Sequence, residues 1–332
     1  MSFRNRNLEH NIIIMSSAVS TARNQPHGPA ENLLYVFVVS RHGPRTAVIP
    51  CKKLLKKEPV DHGQLAEKGR ERTFKLGQFR RDRYRLFLEG STEKPGQVLA
   101  TYVDLDRCRD SVKETLRGLG GAVAATNADP TMYDVPFLDS VKANLDKALK
   151  EPGRDSYATL GDLIAFVTEK TVAPRNNNEE KFLVIDSLVT YVFSGNPVPD
   201  WAKPTWDDFL WTDQMVFVRT PSVRSLAAYV LDTLTVPFEK RPDKMNLFSM
   251  SDTSGFSVLR LLDSSHASRP CFCASILIEV YSRDGTKDFV RVLYRTKHEP
   301  CLVPMEKMGN PCELTEFLEF LRSVPKTREH KK

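Results

Sequence analysis

An unbroken apolar run, Leu33 to Ser40, ends abruptly in Arg41-His42-Gly43-Pro44-Arg45. The run is rich in valine and shows no polar alternation, so neither of its faces is suited to water. It is far shorter than the ~18 residues of a membrane helix. The pattern predicts a strand covered on both faces, as in a parallel sheet. Such a sheet needs helices above and below it, which points the rest of the chain to an α/β arrangement.

The remaining pattern supplies them. From Gly63 to Phe87 the residues Leu65, Gly69, Thr73, Leu76 and Phe79 share one helical stripe, with the arginines on the solvated side. A second strand is expected over 96–103 and a helix over 106–125. Helical segments follow near 138–149, 160–169, 181–192 and 222–235. Met245–Met250 reads as another short strand, followed by a helical "SGFSVLRLLD". The segments "CASILIEVYS" and "DFVRVLYRT" alternate around "RDGT" as an antiparallel hairpin. A final helix is expected over 313–321. The fold class is therefore α/β: a mostly parallel central sheet flanked by helices, with a helical cap insertion. The expected division is a disordered leader at 1–31, a core of 32–125 and 243–325, and a cap of 126–242.

With 332 residues, 41% of them hydrophobic, the chain can bury a sizeable core. Its net charge of +6 is spread along the chain without the aromatic interleaving that stacks bases, which argues against nucleic acid and for a protein that handles anions. No stretch is long enough to span a membrane. "NIIIMSSAVSTA" near the start is a poor signal peptide, its apolar centre being brief and broken by Ser16 and Ser17. The six cysteines have no zinc-like spacing, and Cys271 and Cys273 sit at strand spacing on opposite faces. Free buried thiols and an intracellular location are the expectation.

The chemistry concentrates at strand ends. In an open α/β sheet ligands bind beyond the carboxyl ends of the strands, and His42 lies just past one. A neutral imidazole with one nitrogen pinned by a hydrogen bond can attack phosphorus through the other. The forks of Arg41 and Arg45 can hold phosphoryl oxygens bidentately, and Gly43 allows a tight turn. R-H-G-x-R should arise by chance in roughly one protein per thousand of this length. Asp252 in "FSMSDTSGF" lies after the Met245–Met250 strand. Alone it reads first as a helix N-cap, and only the first motif makes it credible as an acid that protonates a leaving alcohol.

With these residues in hand, the chain from Leu33 onward resembles the histidine acid phosphatases, the second branch of the histidine phosphatase superfamily. Further collinear matches are "HGQLAEKG", "LGQFRRDRYRLFL", "DLDRCRDS", "YATLGDL", "VPDWA", "HEP" and "CELTEFLEFL". The resemblance implies hydrolysis of phosphomonoesters without a metal or other cofactor. It makes His42 the nucleophile, Arg41 and Arg45 the phosphate clamp, and Asp252 the proton donor. It also marks departures. Ala47 replaces a proline, Thr101 stands where a third clamp arginine is expected, and Ser251 replaces a histidine beside the acid. Met308 and Cys312 replace the cysteine pair of secreted relatives, so that bridge cannot form.

Losing one preorganised donor typically costs ~10²–10³ in rate, and two would cost on the order of 10⁴–10⁶ if independent. Two functions are therefore carried forward: a weak phosphomonoesterase, or a pseudophosphatase that binds a phosphorylated ligand or partner without turning it over. With Thr101 and Ser251 uncharged, the pKa of Asp252 is expected to drift upward.

Overall fold

The computed structural model describes residues 31–48, 62–89, 96–120, 126–127, 150, 157–171, 178–210, 212, 224–252, 259, 261–262, 269–283, 285–296, 299–305 and 307–324. Residues 1–30 of the expected leader, the expected helix at 138–149 and most of the helix after Asp252 lie outside these.

The apolar run forms β1 (Glu31–Arg41), and Tyr35 to Val39 are at most 1% exposed. On one side β1 pairs in parallel with β4 (Met245–Met250), which pairs in parallel with β2 (Val98–Tyr102). The two-residue β3 (Thr126–Asn127) extends β2 at the edge. On its other side β1 pairs antiparallel with β5 (Ser275–Arg283), the first arm of a hairpin with β6 (Lys287–Arg295). The short strands β7 (Cys301–Leu302) and β8 (Cys312–Glu313) both pair antiparallel with β6. The sheet is thus mixed, with a parallel core around the central strand and an antiparallel half built on the hairpin.

Alternation along β1 divides the core into two layers. Val36 and Val38 join Val98, Ala100, Met245 and Leu247 on one face, under Val112, Leu116 and Leu119 of α2 (Asp106–Leu119). Beside α2 runs α1 (Glu67–Arg83), which buries Gly69, Thr73 and Leu76 of the expected stripe. Arg80 departs from expectation. It is 2% exposed, and its Nη2 donates to Ser40 Oγ and, at 3.0 Å, to Ser275 Oγ. Burial brings its pKa down to about 10.

On the opposite face Tyr35, Phe37 and Val39 join Phe248, Met250, Ile276 and Ile278. There they meet Ala227, Val230 and Leu234 of α5 (Arg224–Thr235) and Phe317, Leu318 and Leu321 of α6 (Leu314–Ser323). Two helices of the middle stretch, α3 (Leu160–Thr171) and α4 (Asn178–Phe193), build their own apolar cluster with Ala202, Trp206 and Phe209. Of the stretch expected as an insertion, Thr126–Asn127 lies in the sheet and α5 packs on the sheet's core.

The α1–α2 contact depends on two glycines. A Cβ at Gly77 would stand 2.0 Å from the Thr115 carbonyl oxygen, and one at Gly118 would stand 2.0 Å from that of Phe74. Both obstacles are backbone and cannot swing aside, so each added methyl pushes the helices apart. Gly118→Ala is expected to lower stability by at least ~2 kcal/mol, the scale of overpacking a tight core. A urea midpoint that falls with an unchanged slope would show this, and an unmoved midpoint would refute it.

Candidate active site

The register Arg41↔Met250 aligns the carboxyl ends of β1 and β4. The chain leaves β1 with the His42 amide donating to Met250 O at 3.0 Å, so the nucleophile candidate turns toward the start of the Ser251–Asp252 segment. The two motifs, some 210 positions apart, meet there. Arg41 Nη2 lies 2.9 Å from Asp252 Oδ2. All four principal candidates are buried: Arg41, His42, Arg45 and Asp252 are 3%, 1%, 5% and 7% exposed.

His42 is held in one tautomer. Its Nδ1 lies 2.8 Å from the Gly43 carbonyl oxygen, which can only accept, so Nδ1 carries the proton. Nε2 is left with its lone pair, and Arg107 Nε donates to it at 3.2 Å. Burial, with Arg41, Arg107 and Arg45 nearby, holds the imidazole pKa well below its ordinary value. The ring is neutral, as a nucleophile must be. Gly43 matters for space more than for turning: a Cβ there would stand 2.7 Å from Gly69 O. The Gly43 amide donates to Ser111 Oγ at 3.0 Å. The loop that Ala47 was expected to loosen is held by backbone bonds, Thr46 N to Gln64 O at 2.9 Å and Gly63 N to Ala47 O at 3.1 Å.

The structure adds groups that the sequence did not single out. Arg107 enters from the first turn of α2, within the "DLDRCRDS" segment. A third guanidinium therefore does face His42. It comes from beyond the end of β2 and not from position 101. Thr101 pairs with Phe248, two residues short of the end of β4, and its hydroxyl is buried without a hydrogen-bond partner. Ser251 lies between the last residue of β4 and Asp252.

The strap 269–274, leading into β5, touches most of the site. Arg41 Nη1 donates to Pro270 O at 2.6 Å, and the Arg41 amide donates to Ala274 O at 2.9 Å. The Phe272 ring lies 4.1 Å from the Arg41 guanidinium carbon and 5.6 Å from the His42 ring. Cys273, at φ 64°, donates its amide to His42 O at 3.3 Å.

Two carboxylates complete the cluster. Asp186 of α4 accepts from Arg45 Nη2 at 2.8 Å through Oδ2 and from Arg269 Nη2 at 2.8 Å through Oδ1. Arg269 also reaches Asp252 Oδ2, from Nε at 2.5 Å and from Nη2. Its only sequence signal was position, just ahead of a strand. For Asp186 the signal was a lone acid within the apolar "FLVIDSLV".

Burial alone would raise the pKa of Asp252, but Arg269, Arg41, His42 and Arg45 outweigh it and hold the group well below the usual carboxylate range. The expected upward drift is therefore reversed, because Arg269, with Arg41 and Arg45, supplies the positive charge that positions 101 and 251 lack. With His42 neutral, among the described residues four guanidiniums (Arg41, Arg45, Arg107, Arg269) face two carboxylates (Asp186, Asp252), a balance of two positive charges. The buried Nε groups of Arg41 and Arg45 lack partners. Such a cluster attracts an anion, and a phosphoryl dianion matches its charge.

No family model matches the chain. It is 25% identical over 348 residues to the testicular acid phosphatase of Mus musculus, covering 90% of this chain and 80% of that protein. It is 24% identical over 347 residues to the venom acid phosphatase Acph-1 of Apis mellifera, covering 91% and 88%. Among solved structures, the phytase of Klebsiella sp ASR1 superposes with a TM-score of 0.64 at 15% identity, over 90% of this chain and 96% of that one. Fold and site together define an α/β protein with a histidine and a guanidinium clamp at the strand ends. In sequence the chain is similar to acid phosphatases along nine-tenths of its length, and in fold it is similar to phytases.

The buried tautomer gives a direct test. The ¹⁵N resonances of the His42 ring, assigned by their loss in His42→Ala, should show a neutral Nδ1–H imidazole throughout pH 5–8. A titration with a midpoint near ~6.5, the unperturbed value, would contradict the assignment.

Proposed function

We propose that the protein hydrolyses phosphomonoesters through a phosphohistidine on His42. The observation that carries this reading is the neutral, tautomer-fixed imidazole whose Nε2 accepts from Arg107, with Arg41 and Arg45 close enough to act on it. The similarity to acid phosphatases supports the reaction class.

In this mechanism Arg41, Arg45 and Arg107 hold the phosphoryl oxygens while His42 Nε2 forms a bond to phosphorus and the ester oxygen departs. Their charge stabilises the oxygens as it redistributes. The departing oxygen takes a proton through Asp252. Water then attacks the phosphohistidine, giving its proton to Asp252 and releasing inorganic phosphate. Since Arg269 and Arg41 keep Asp252 ionised at rest, the proton enters with the substrate monoanion, whose second ionisation lies near ~6. Arg107 belongs to the "DLDRCRDS" run that already matches relatives, so it does not replace the arginine missing at position 101, and the losses at 101 and 251 both stand.

Specificity is assigned to the middle stretch, taken as a cap over the site through Asp186. The substrate class is a small phosphomonoester or the phosphorylated side chain of a partner. An intracellular place for the chain draws support from the thiols of Cys108, Cys273, Cys301 and Cys312, which form no disulfide among the described residues. Among the described residues no helix is long and apolar enough to cross a membrane. The second reading, a pseudophosphatase that binds without turnover, draws on the ion pairs that already engage Arg41, Arg45 and Asp252.

Hydrolysis of an aryl phosphate separates the two. On the first reading, His42→Ala abolishes turnover and Arg107→Ala lowers kcat by ~10²–10³. Thr101→Arg gives no gain, because it forces a guanidinium into the layer beside Phe248. The rate kcat/KM declines above pH ~6 and follows the phosphate pKa of whichever ester is used. Turnover equal in His42→Ala and the wild type would remove the mechanism. Phosphate binding with no turnover in the wild type would establish the second reading.

A further inference from the structure

Arg269 lies between two carboxylates that belong to different parts of the chain. Its Nε and Nη2 both converge on Oδ2 of Asp252, the oxygen that Arg41 Nη2 approaches at 2.9 Å. The same Nη2 lies 2.8 Å from Oδ1 of Asp186, whose Oδ2 receives Arg45. The contacts run Arg41–Asp252–Arg269–Asp186–Arg45. Arg269 thereby links the strand-end acid to α4 and connects the two clamp arginines to each other. Its side chain is 5% exposed, and those of Asp186 and Asp252 are 6% and 11% exposed.

A surface ion pair contributes little, but a guanidinium enclosed with two carboxylates has no water to replace either one. Its planar fork also fixes direction, which a lysine cannot do. Two guanidiniums converging on one oxygen restrict rotation of the Asp252 carboxyl about its own axis. The charge balance favours retention of the whole chain of contacts when an anion arrives, since the two positive charges left over suit a phosphoryl dianion with Asp186 still in place.

We infer that Arg269 is a positioning residue for Asp252, anchored by Asp186 of α4, and that it fixes both the orientation of that carboxylate and its ionised resting state. The inference rests on the proposed reaction in assigning Asp252 the proton transfer. Among the described residues, the groups that face Asp252 include Arg41 and His42 at the end of β1, Arg45 in the following loop, Arg107 and Cys108 on α2, Asp186 on α4 and Arg269 itself. Of these, Arg269 contributes the largest opposing charge. Its removal therefore raises the pKa of Asp252, and the acid becomes protonated at higher pH.

The experiment measures binding of inorganic phosphate by calorimetry at pH 5 in two buffers of different ionisation enthalpy. This counts protons taken up and needs no turnover. Arg269→Gln is expected to take up at least ~0.5 proton more per phosphate than the wild type, and Arg269→Lys, which keeps the charge, to match the wild type. On an aryl phosphate, the pH at which kcat declines moves up by at least ~1 unit in Arg269→Gln and stays in place in Arg269→Lys. The lysine variant loses kcat because it cannot hold both carboxylates.

Arg269→Met, which keeps the apolar volume of the side-chain stem, gives the same readout should the glutamine variant not fold. Wild-type proton uptake and an unmoved decline in the neutral variants would overturn the inference, whatever their rate. The outcome for His42→Ala is independent. A failed nucleophile assignment leaves the proton count intact, and a failed proton count leaves the nucleophile intact.

Discussion

The parallel pairing of β1 with β4 is the constraint on which the site depends. Its register places Arg41 beside Met250, so the residues that follow each strand emerge at the same level of the sheet. A slip of one residue would turn every side chain of β1 to the other face. It would also move His42 out of reach of the Met250 carbonyl. Register here is fixed by burial on both faces, Val36 and Val38 against α2 on one side and Phe37 and Val39 against α5 and α6 on the other. The packing that makes the fold specific is therefore what brings an imidazole and a carboxylate together from positions 42 and 252.

The electrostatics of the site work against the fold that carries it. Four guanidiniums and two carboxylates are withdrawn from water, and the pKa of Arg41 falls to about 10 under burial. Buried ion pairs seldom repay their desolvation in full. Among the described residues the guanidiniums outnumber the carboxylates, and that imbalance adds repulsion to the cost. An anion supplies what the protein lacks. The same excess keeps His42 neutral and Asp252 ionised, so one charge distribution prepares both the attacking nitrogen and the carboxylate.

Much of this was legible in the residues. β4 matched its expected bounds, and the hairpin, the fold class and the strand-end location of "RHGPR" followed from periods of two and unbroken apolar runs. What escaped did so for identifiable reasons. Arg80, Arg107 and Arg269 lie in segments where arginine reads as solvated surface, and only tertiary packing decides which few turn inward. Asp186 sits in an apolar helix whose partner across the site is 83 positions away. The pKa of Asp252 could not be judged from Thr101 and Ser251, because the largest charge acting on it comes from Arg269 in the strap before β5. A position known to lack an arginine says little until the neighbouring loops are placed.

The central claim is that Nε2 of His42 becomes covalently bonded to phosphorus. Mixing the protein with an aryl phosphate, quenching within milliseconds in alkaline denaturant and mapping phosphorylated peptides by mass spectrometry tests it directly. The account predicts a single phosphopeptide containing His42, absent from His42→Ala and more abundant in Asp252→Asn, where water attack on the intermediate lacks its base. Turnover of the ester with no phosphate on His42 at any quench time would contradict it.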